Sequence, residues 1–280
     1  MRRAWTVLFC SLCAVGFLST QVAAAQQSFR QRFIEHNKFM AALQPALITP
    51  LVAPDPRLVQ YVKLSFANQY TPTRTQTVNF GNSRGIGLIA GNRFEFDIVP
   101  PPYIQHNSSA IDGFGDMATL AKYRIASGDA KHGSFEFTAI VNHTFATGSH
   151  KNGAASDTYG PALAAAKAFR KVDVISSLGG TLPTGKISAQ GRCVAWNSVF
   201  QLHALRPVWL EVEDNAAFYS GGSHDGQMQN FITPAAFYVV RPKEWASTHP
   251  FFIFDMGMQI ATSRLHTYNH NLISEMRILF

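Results

Sequence analysis

The sequence predicts an all-β protein, a transmembrane up-and-down antiparallel β-barrel of about twelve strands behind a cleaved signal peptide. Three observations lead there. Strand-length segments alternate apolar and polar residues, no apolar run beyond the amino terminus is long enough for a helical span, and short and long connections alternate. The last segment shows the alternation most plainly. Between Asn269 and Phe280, Leu272, Met276, Ile278 and Phe280 share one parity, while Asn271, Glu275 and Arg277 share the other. A period of two gives a strand one oily and one polar face. A soluble sheet would turn the oily face inward; a chain that ends on an aromatic residue after many such strands suggests a barrel turned inside out. Phe280 is then the expected signal to the outer-membrane assembly machinery, and outer-membrane lipids are expected partners.

Met1 to Ala25 reads as a secretory signal peptide. Arg2 and Arg3 form its basic start, Trp5 to Leu18 its apolar stretch, and Ala23, Ala24 and Ala25 its small-residue exit. The expected destination is the outer membrane of a Gram-negative bacterium. Cys10 and Cys13 lie in this leader, so the mature chain keeps only Cys193, which excludes internal disulfides and cysteine-rich metal sites. The formal charge of +7 comes from scattered Lys and Arg residues and gives no support to nucleic-acid binding.

Residues 26–56 do not alternate. Phe29, Phe33, Ile34 and Met40 have helical spacing, and Pro45, Pro50, Pro54 and Pro56 follow, which predicts a short amphipathic helix and a Pro-rich lead. This segment is expected to plug the lumen, to lie in the periplasm, or to remain a disordered tail.

Residues 57–280 are expected to form the barrel. Arg57 to Gln69 places Val62, Leu64 and Phe66 opposite Lys63 and Ser65. Thr73 to Gly81 reads as a second strand and Arg84 to Ile98 as a third, with Ile86, Leu88, Phe94, Phe96 and Ile98 opposite Arg93, Glu95 and Asp97. Phe135 to Phe145, Cys193 to His203 and Val208 to Tyr219 keep the same alternation. Pro250 to Ala261 is apolar on both parities at its start, and Ala162 to Phe169 is mostly alanine. A β-sandwich would produce much of this pattern. The connections decide for a barrel: those near Gly128, Lys171 and Leu205 are short, whereas those around Pro100 to Gly113, Gly148 to Thr158, Gly185 to Gly191 and Gly221 to Gln227 are longer. Trp196, Trp209 and Trp245, with Tyr70, Tyr123 and Tyr238, are candidates for the interfacial girdles.

Asp112-Gly-Phe-Gly-Asp116, then Ala121-Lys-Tyr-Arg124, and later Gly179-Gly-Thr-Leu-Pro-Thr-Gly185 form a set of motifs. This set resembles the outer-membrane transporter family associated with meta-pathway phenol degradation, over roughly Asp112 to Phe280. The earlier hairpin departs from the family pattern, with Phe145-Ala-Thr-Gly148 in place of a second Pro-Thr-Gly. The resemblance implies a barrel and a transport role. The residues themselves have structural readings: Gly113 and Gly115 permit a bend, Asp116 accepts loose backbone donors, and Pro183 and Gly185 end a strand.

The polar parity nominates lumen-facing residues along a solute pathway: Arg93, Glu95, Asp97, Lys122, Arg124, Glu136, Glu211, Glu213, Glu275 and Arg277. Mixed charge across a narrow lumen either pairs into a stabilising network or sets up a field that orients a solute. The function predicted is a channel or transporter for small solutes, hydrophobic or aromatic ones among them, with no cofactor, no metal and no catalytic residue. Two alternatives stand beside it. One is a lipid hydrolase built on His106 and Ser108, whose His-x-Ser spacing puts base and nucleophile on one strand face; the other is a structural or adhesive barrel.

Overall fold

A computed structural model describes residues 31–81, 83–241 and 251–280. The signal peptide expected over Met1 to Ala25, and Trp245, lie outside the described residues. The chain divides into two compact units, Met1–Phe39 and Met40–Phe280. In the first, residues 31–39 are helical, as the spacing of Phe33 and Ile34 predicts, and Gln31 reaches Glu35 one turn on at 3.2 Å.

In the second unit, three further helical residues, 40–42, lead into an irregular segment running to Gln60, and the wall begins at Tyr61. Fifteen strand segments follow: β1 Tyr61–Tyr70, β2 Gln76–Phe80, β3 Gly85–Ala90, β4 Phe94–Val99, β5 Tyr103–His106, β6 Gly113–Phe114, β7 Met117–Gly128, β8 Phe135–Phe145, β9 Thr158–Phe169, β10 Val172–Pro183, β11 Arg192–Leu205, β12 Val208–Ser220, β13 Met228–Val240, β14 Phe251–Ala261 and β15 His270–Leu279. Neighbours pair antiparallel, and β15 pairs back onto β1 from Tyr61↔Leu279 to Tyr70↔His270, which closes the sheet.

Three wall positions are built from two pieces each. The near half of β1 pairs with β3 and its far half with β2, β5 continues β4, and β6 continues β7, so the ring has twelve strands. The breaks fall where the ladder is hard to continue. Gly81 takes φ 90°, Pro100, Pro101 and Pro102 have no N–H to donate, and a Cβ on Gly115 would meet Pro102 Cγ at 3.0 Å.

One expected strand is corrected. Arg84 to Ile98 is a hairpin, β3 and β4, turning at Gly91, Asn92 and Arg93, with Ala90 paired to Phe94. Because the paired residues are four apart, the outward parity passes unbroken through the turn and imitates a single strand. The strand total is unaffected, since Thr73 to Gly81 and the first arm of that hairpin share one wall position.

Burial is inverted relative to a soluble sheet. Leu178 and Phe200 are 57% exposed on the outside, whereas Glu95, Glu136 and Glu213 are 0% exposed on the inside. An exterior this apolar requires lipid around it, and a closed sheet is the form in which strands can cross lipid with every backbone group paired. Tyr70, Tyr123, Tyr238 and Trp196 lie on the outer face. Trp209 does not: it lies on the parity of Glu211 and Glu213 and stacks on His203 with ring centroids 4.2 Å apart. At the entrance of β12, side chains on the inner face pack against the segment in the lumen, so an aromatic there is no sign of a girdle.

The connections sort by end. The turns at 91–93, 129–134, 170–171 and 206–207 share the end where β1 begins and β15 finishes, and the longer connections lie at the opposite end. There Asp116 accepts from Gly148 N–H at 2.8 Å and from Ala154 N–H at 2.6 Å, which ties the 146–157 connection to the wall. A Cβ on Gly153 would meet Asp116 Oδ1 at 2.1 Å, and one on Gly113 would meet Ser149 Oγ at 2.4 Å. The Gly-Phe-Gly-Asp motif therefore lets a long loop fold close against a strand.

Candidate functional site in the lumen

The interior holds the chain's own residues 43–60. This segment doubles back on itself. Gln44 accepts from Leu58 N–H at 3.2 Å and donates to Leu58 O at 3.0 Å, while Arg57 pairs with Asp55 at 2.8 Å and donates to Leu47 O at 2.6 Å. With the prolines predicted to break a helix here the segment forms neither helix nor strand, and many of its N–H and C=O groups are left to find partners on the wall.

The wall supplies them mostly through the nominated residues. Glu211 accepts from Leu51 N–H at 3.1 Å, and the two oxygens of Glu213 accept from Val52 and Ala53 N–H, both at 2.8 Å. Arg277 donates to Thr49 O at 2.7 Å and Pro50 O at 2.8 Å while pairing with Glu275 at 2.5 Å and Asp255 at 3.3 Å. Lys122 donates to Arg57 O at 3.1 Å and pairs with Glu95 at 2.7 Å; Glu95 also accepts from Val59 N–H. Arg124 pairs with Glu136 at 2.6 Å and donates to Gln44. Asp97 accepts from the Tyr61 hydroxyl at 2.9 Å. Nine of the ten nominated residues are buried on the inner face. Arg93 is corrected: it lies exposed in the turn between β3 and β4, 3.2 Å from the Tyr123 hydroxyl, because the chain reverses there.

Several residues that grip the segment escaped nomination. Gln201 donates to Ile48 O at 2.8 Å and to Glu211 at 2.7 Å, and Thr138 donates to Pro56 O at 2.5 Å. Both share the polar parity of their strands, so the signal was present in neutral side chains. Apolar residues on that parity also matter. Ile48 and Leu51 pack with Phe237, Ile253, Ile273 and Leu279, and Leu47 and Ala53 pack with Ala166, Ile175 and Val199. A Cβ on Gly257 would meet Leu51 Cδ2 at 2.4 Å, so the glycine leaves the space Leu51 fills.

Beside the segment a cavity of about 590 Å³ remains, lined among others by Lys63, Asp97, Val99, Leu120 and Asn271. It extends toward the end with the long connections, where Tyr268 and Asp116 border it. His106 and Ser108 lie apart in role. The His106 ring faces Asn152 Oδ1 at 2.7 Å and Thr77 Oγ1 at 3.4 Å, whereas Ser108 Oγ accepts from Ala110 N–H at 3.2 Å. The pair thus holds loop structure on separate partners. Among the described residues no cluster of His, Cys, Asp or Glu has the arrangement of a metal site.

No family model matches the sequence, and no curated protein matches it. Solved structures do. The NanC porin superposes with a TM-score of 0.51 at 8% identity, covering 79% of this chain and 98% of the porin. The COG4313 outer membrane channel from Pseudomonas putida F1 superposes with a TM-score of 0.57 at 11% identity, covering 84% of this chain and 100% of the channel. Likeness at such identities concerns the fold: the chain is a twelve-stranded transmembrane β-barrel that superposes on those two proteins over most of its length.

Proposed function

We propose that this protein is an outer-membrane channel for small solutes whose lumen is occupied at rest by residues 43–60. The observation that carries the reading is the lining. Its buried carboxylates and guanidinium groups do more than pair with one another: they bind the backbone of a segment that has no place in the sheet's own ladder. Wall side chains hold Thr49 to Ala53, Pro56, Arg57 and Val59 by polar bonds to the backbone, with Ile48, Leu51 and Ala53 also packed on apolar wall residues, and the polar bonds can be exchanged for water or solute far more readily than a fused apolar core. The two solved structures, a porin and an outer membrane channel, support the same class.

Location in the outer membrane follows from the oily exterior and the closed sheet, and Phe280 at the end of β15 is the proposed contact for the assembly machinery. The motif resemblance to the meta-pathway family supports a transport barrel. Those motif residues build loops and strand ends, so they carry no argument for phenol as the solute. The hydrolase alternative loses ground because His106 and Ser108 have different partners.

The test is reconstitution of the mature chain into planar bilayers, after confirming in detergent electrophoresis that its mobility changes on heating. Discrete voltage-dependent conductance steps are expected. A heat-modifiable barrel that never conducts would sink the channel reading and leave a structural barrel.

A further inference from the structure

Among the described residues, the cations on the inner face of the wall are all engaged, and they cluster on one side. Lys63, Lys122, Arg124 and Arg277 stand on β1, β7 and β15, each within 3.6 Å of a carboxylate. The opposite wall is different. β10 to β14 present Asp173, Glu211, Glu213 and Asp255 inward and carry no inward lysine or arginine. Of these, Asp255 reaches across to Arg277, whereas Glu211 and Glu213 are held by backbone N–H groups of Leu51, Val52 and Ala53. Asp173 is 2% exposed, and its Oδ2 has no hydrogen-bond partner.

Register places two of these carboxylates on either side of Gln201. Asp173 pairs with Gln201 across β10 and β11, and Gln201 pairs with Glu211 across β11 and β12. The buried oxygens left without a hydrogen bond include Asp173 Oδ2 and Gln201 Oε1 in this row and Asp97 Oδ1 at the cavity, all of them acceptors. The inner face is therefore short of donors, on the β10–β14 wall at Asp173 and Gln201 and on β4 at Asp97, and at Glu211 and Glu213 the segment makes up part of the deficit with its own amides. Any solute that takes the segment's place must bring N–H groups to the same oxygens or leave carboxylates buried and unmatched, which is costly.

We infer that the channel selects small cations rich in N–H donors, of the ammonium or guanidinium class, and that residues 51–53 stand in for such a solute at Glu211 and Glu213. This rests on the channel reading and names the solute class for it. Passage needs the segment to leave β12, after which Glu211 and Glu213 join Asp173 as an uncompensated acidic wall. A wall of one sign in a low-dielectric pore attracts counter-ions and repels co-ions.

The experiment is reversal-potential measurement on the full mature chain in planar bilayers under a potassium chloride gradient. It is followed by replacement of potassium with guanidinium or with tetramethylammonium, which has the charge but no N–H. Wild type is expected to reverse on the cation side, with guanidinium carrying more current than tetramethylammonium. Glu211→Gln with Glu213→Gln should move the reversal potential toward zero while conductance persists. Asp173→Asn, which touches no residue of the segment by hydrogen bond, should give a smaller shift of the same sign and keeps the test open if the double variant does not assemble. Anion selectivity or none in the wild type, equal currents for the two organic cations, or an unchanged potential in the assembled variants would overturn the inference while leaving a channel in place. No current at any voltage removes the channel reading and this inference together.

Discussion

Glu213→Gln is the most informative perturbation of the lumen. The native carboxylate accepts two backbone N–H bonds at 2.8 Å, from Val52 and Ala53, and is 0% exposed. Hydrogen bonds to a charged group contribute about 1.5–3 kcal/mol each, and neutral ones about 0.5–1.5 kcal/mol. The amide keeps one acceptor, now neutral, and turns an NH2 toward the second N–H. The net loss is about 3 kcal/mol, which at about 1.4 kcal/mol per factor of ten raises the ratio of released to docked segment about a hundredfold. The barrel should survive, because β12 is held to β11 and β13 by backbone pairing that the substitution leaves alone. Trypsin reports the released state through the Arg57–Leu58 bond, since Arg57 is 7% exposed when docked, and cleavage tracks the open population when reclosing is fast. Cleavage at that bond should accelerate about a hundredfold with heat-modifiable mobility unchanged. A rate equal to wild type in an intact barrel would refute the claim that this carboxylate holds the segment down.

Other substitutions test other parts of the account. Gly257→Ala puts a methyl 2.4 Å from Leu51 Cδ2 and 2.8 Å from Ala235 Cβ; it should unseat the segment and raise conductance, and an unchanged open probability would count against the packing of Leu51 there. Asp116→Asn weakens the bonds to Gly148 and Ala154; trypsin should then cut faster after Lys151, with the segment's own susceptibility unaltered. Leu178→Arg on the outer face, at a position 57% exposed, should cost about 2–4 kcal/mol if it faces the bilayer interior, read as a lower unfolding midpoint in urea from vesicles; a neutral effect would place that face outside lipid.

The wall was legible because lipid outside and polar groups inside impose a period of two on every strand. At β8, β11, β12 and β15 the alternation gave both the strand and the faces of Glu136, Glu211, Glu213, Glu275 and Arg277, whereas β10 and β13 were not marked out by it. It failed at Arg93, because a turn that separates paired residues by four leaves the parity intact. Two segments looked weak for a reason that the sequence alone did not supply. The start of β14 is apolar on both parities because Ile253 backs the segment in the lumen, and β9 is rich in alanine because Ala164 and Ala166 are buried on the inner face, Ala166 against Leu47 and Ala53. Apolar residues on the polar parity, at Ile175, Val199, Phe237, Ile253 and Ile273, were the trace of an occupied lumen. Strand periodicity describes each strand's two faces and does not show which nonadjacent segment covers one of them. The partners of residues 48–53 are more than a hundred positions away, at Gln201, Glu211, Glu213 and Arg277, so local spacing held no information on the choice between plug, periplasmic segment and free tail.

A tether between the segment and the wall tests the central claim most directly. Leu51→Cys with Gly257→Cys, in a chain whose Cys193 is replaced by serine, brings two thiols together where Leu51 now fills the space above Gly257. Single-channel current would be recorded from the same membrane before and after adding a reductant. Silence in the oxidised state and conductance steps after reduction are the predicted result. Equal conductance in both states, with the disulfide verified by mass, would contradict the account, because solute would then be passing a lumen in which residues 43–60 cannot move aside.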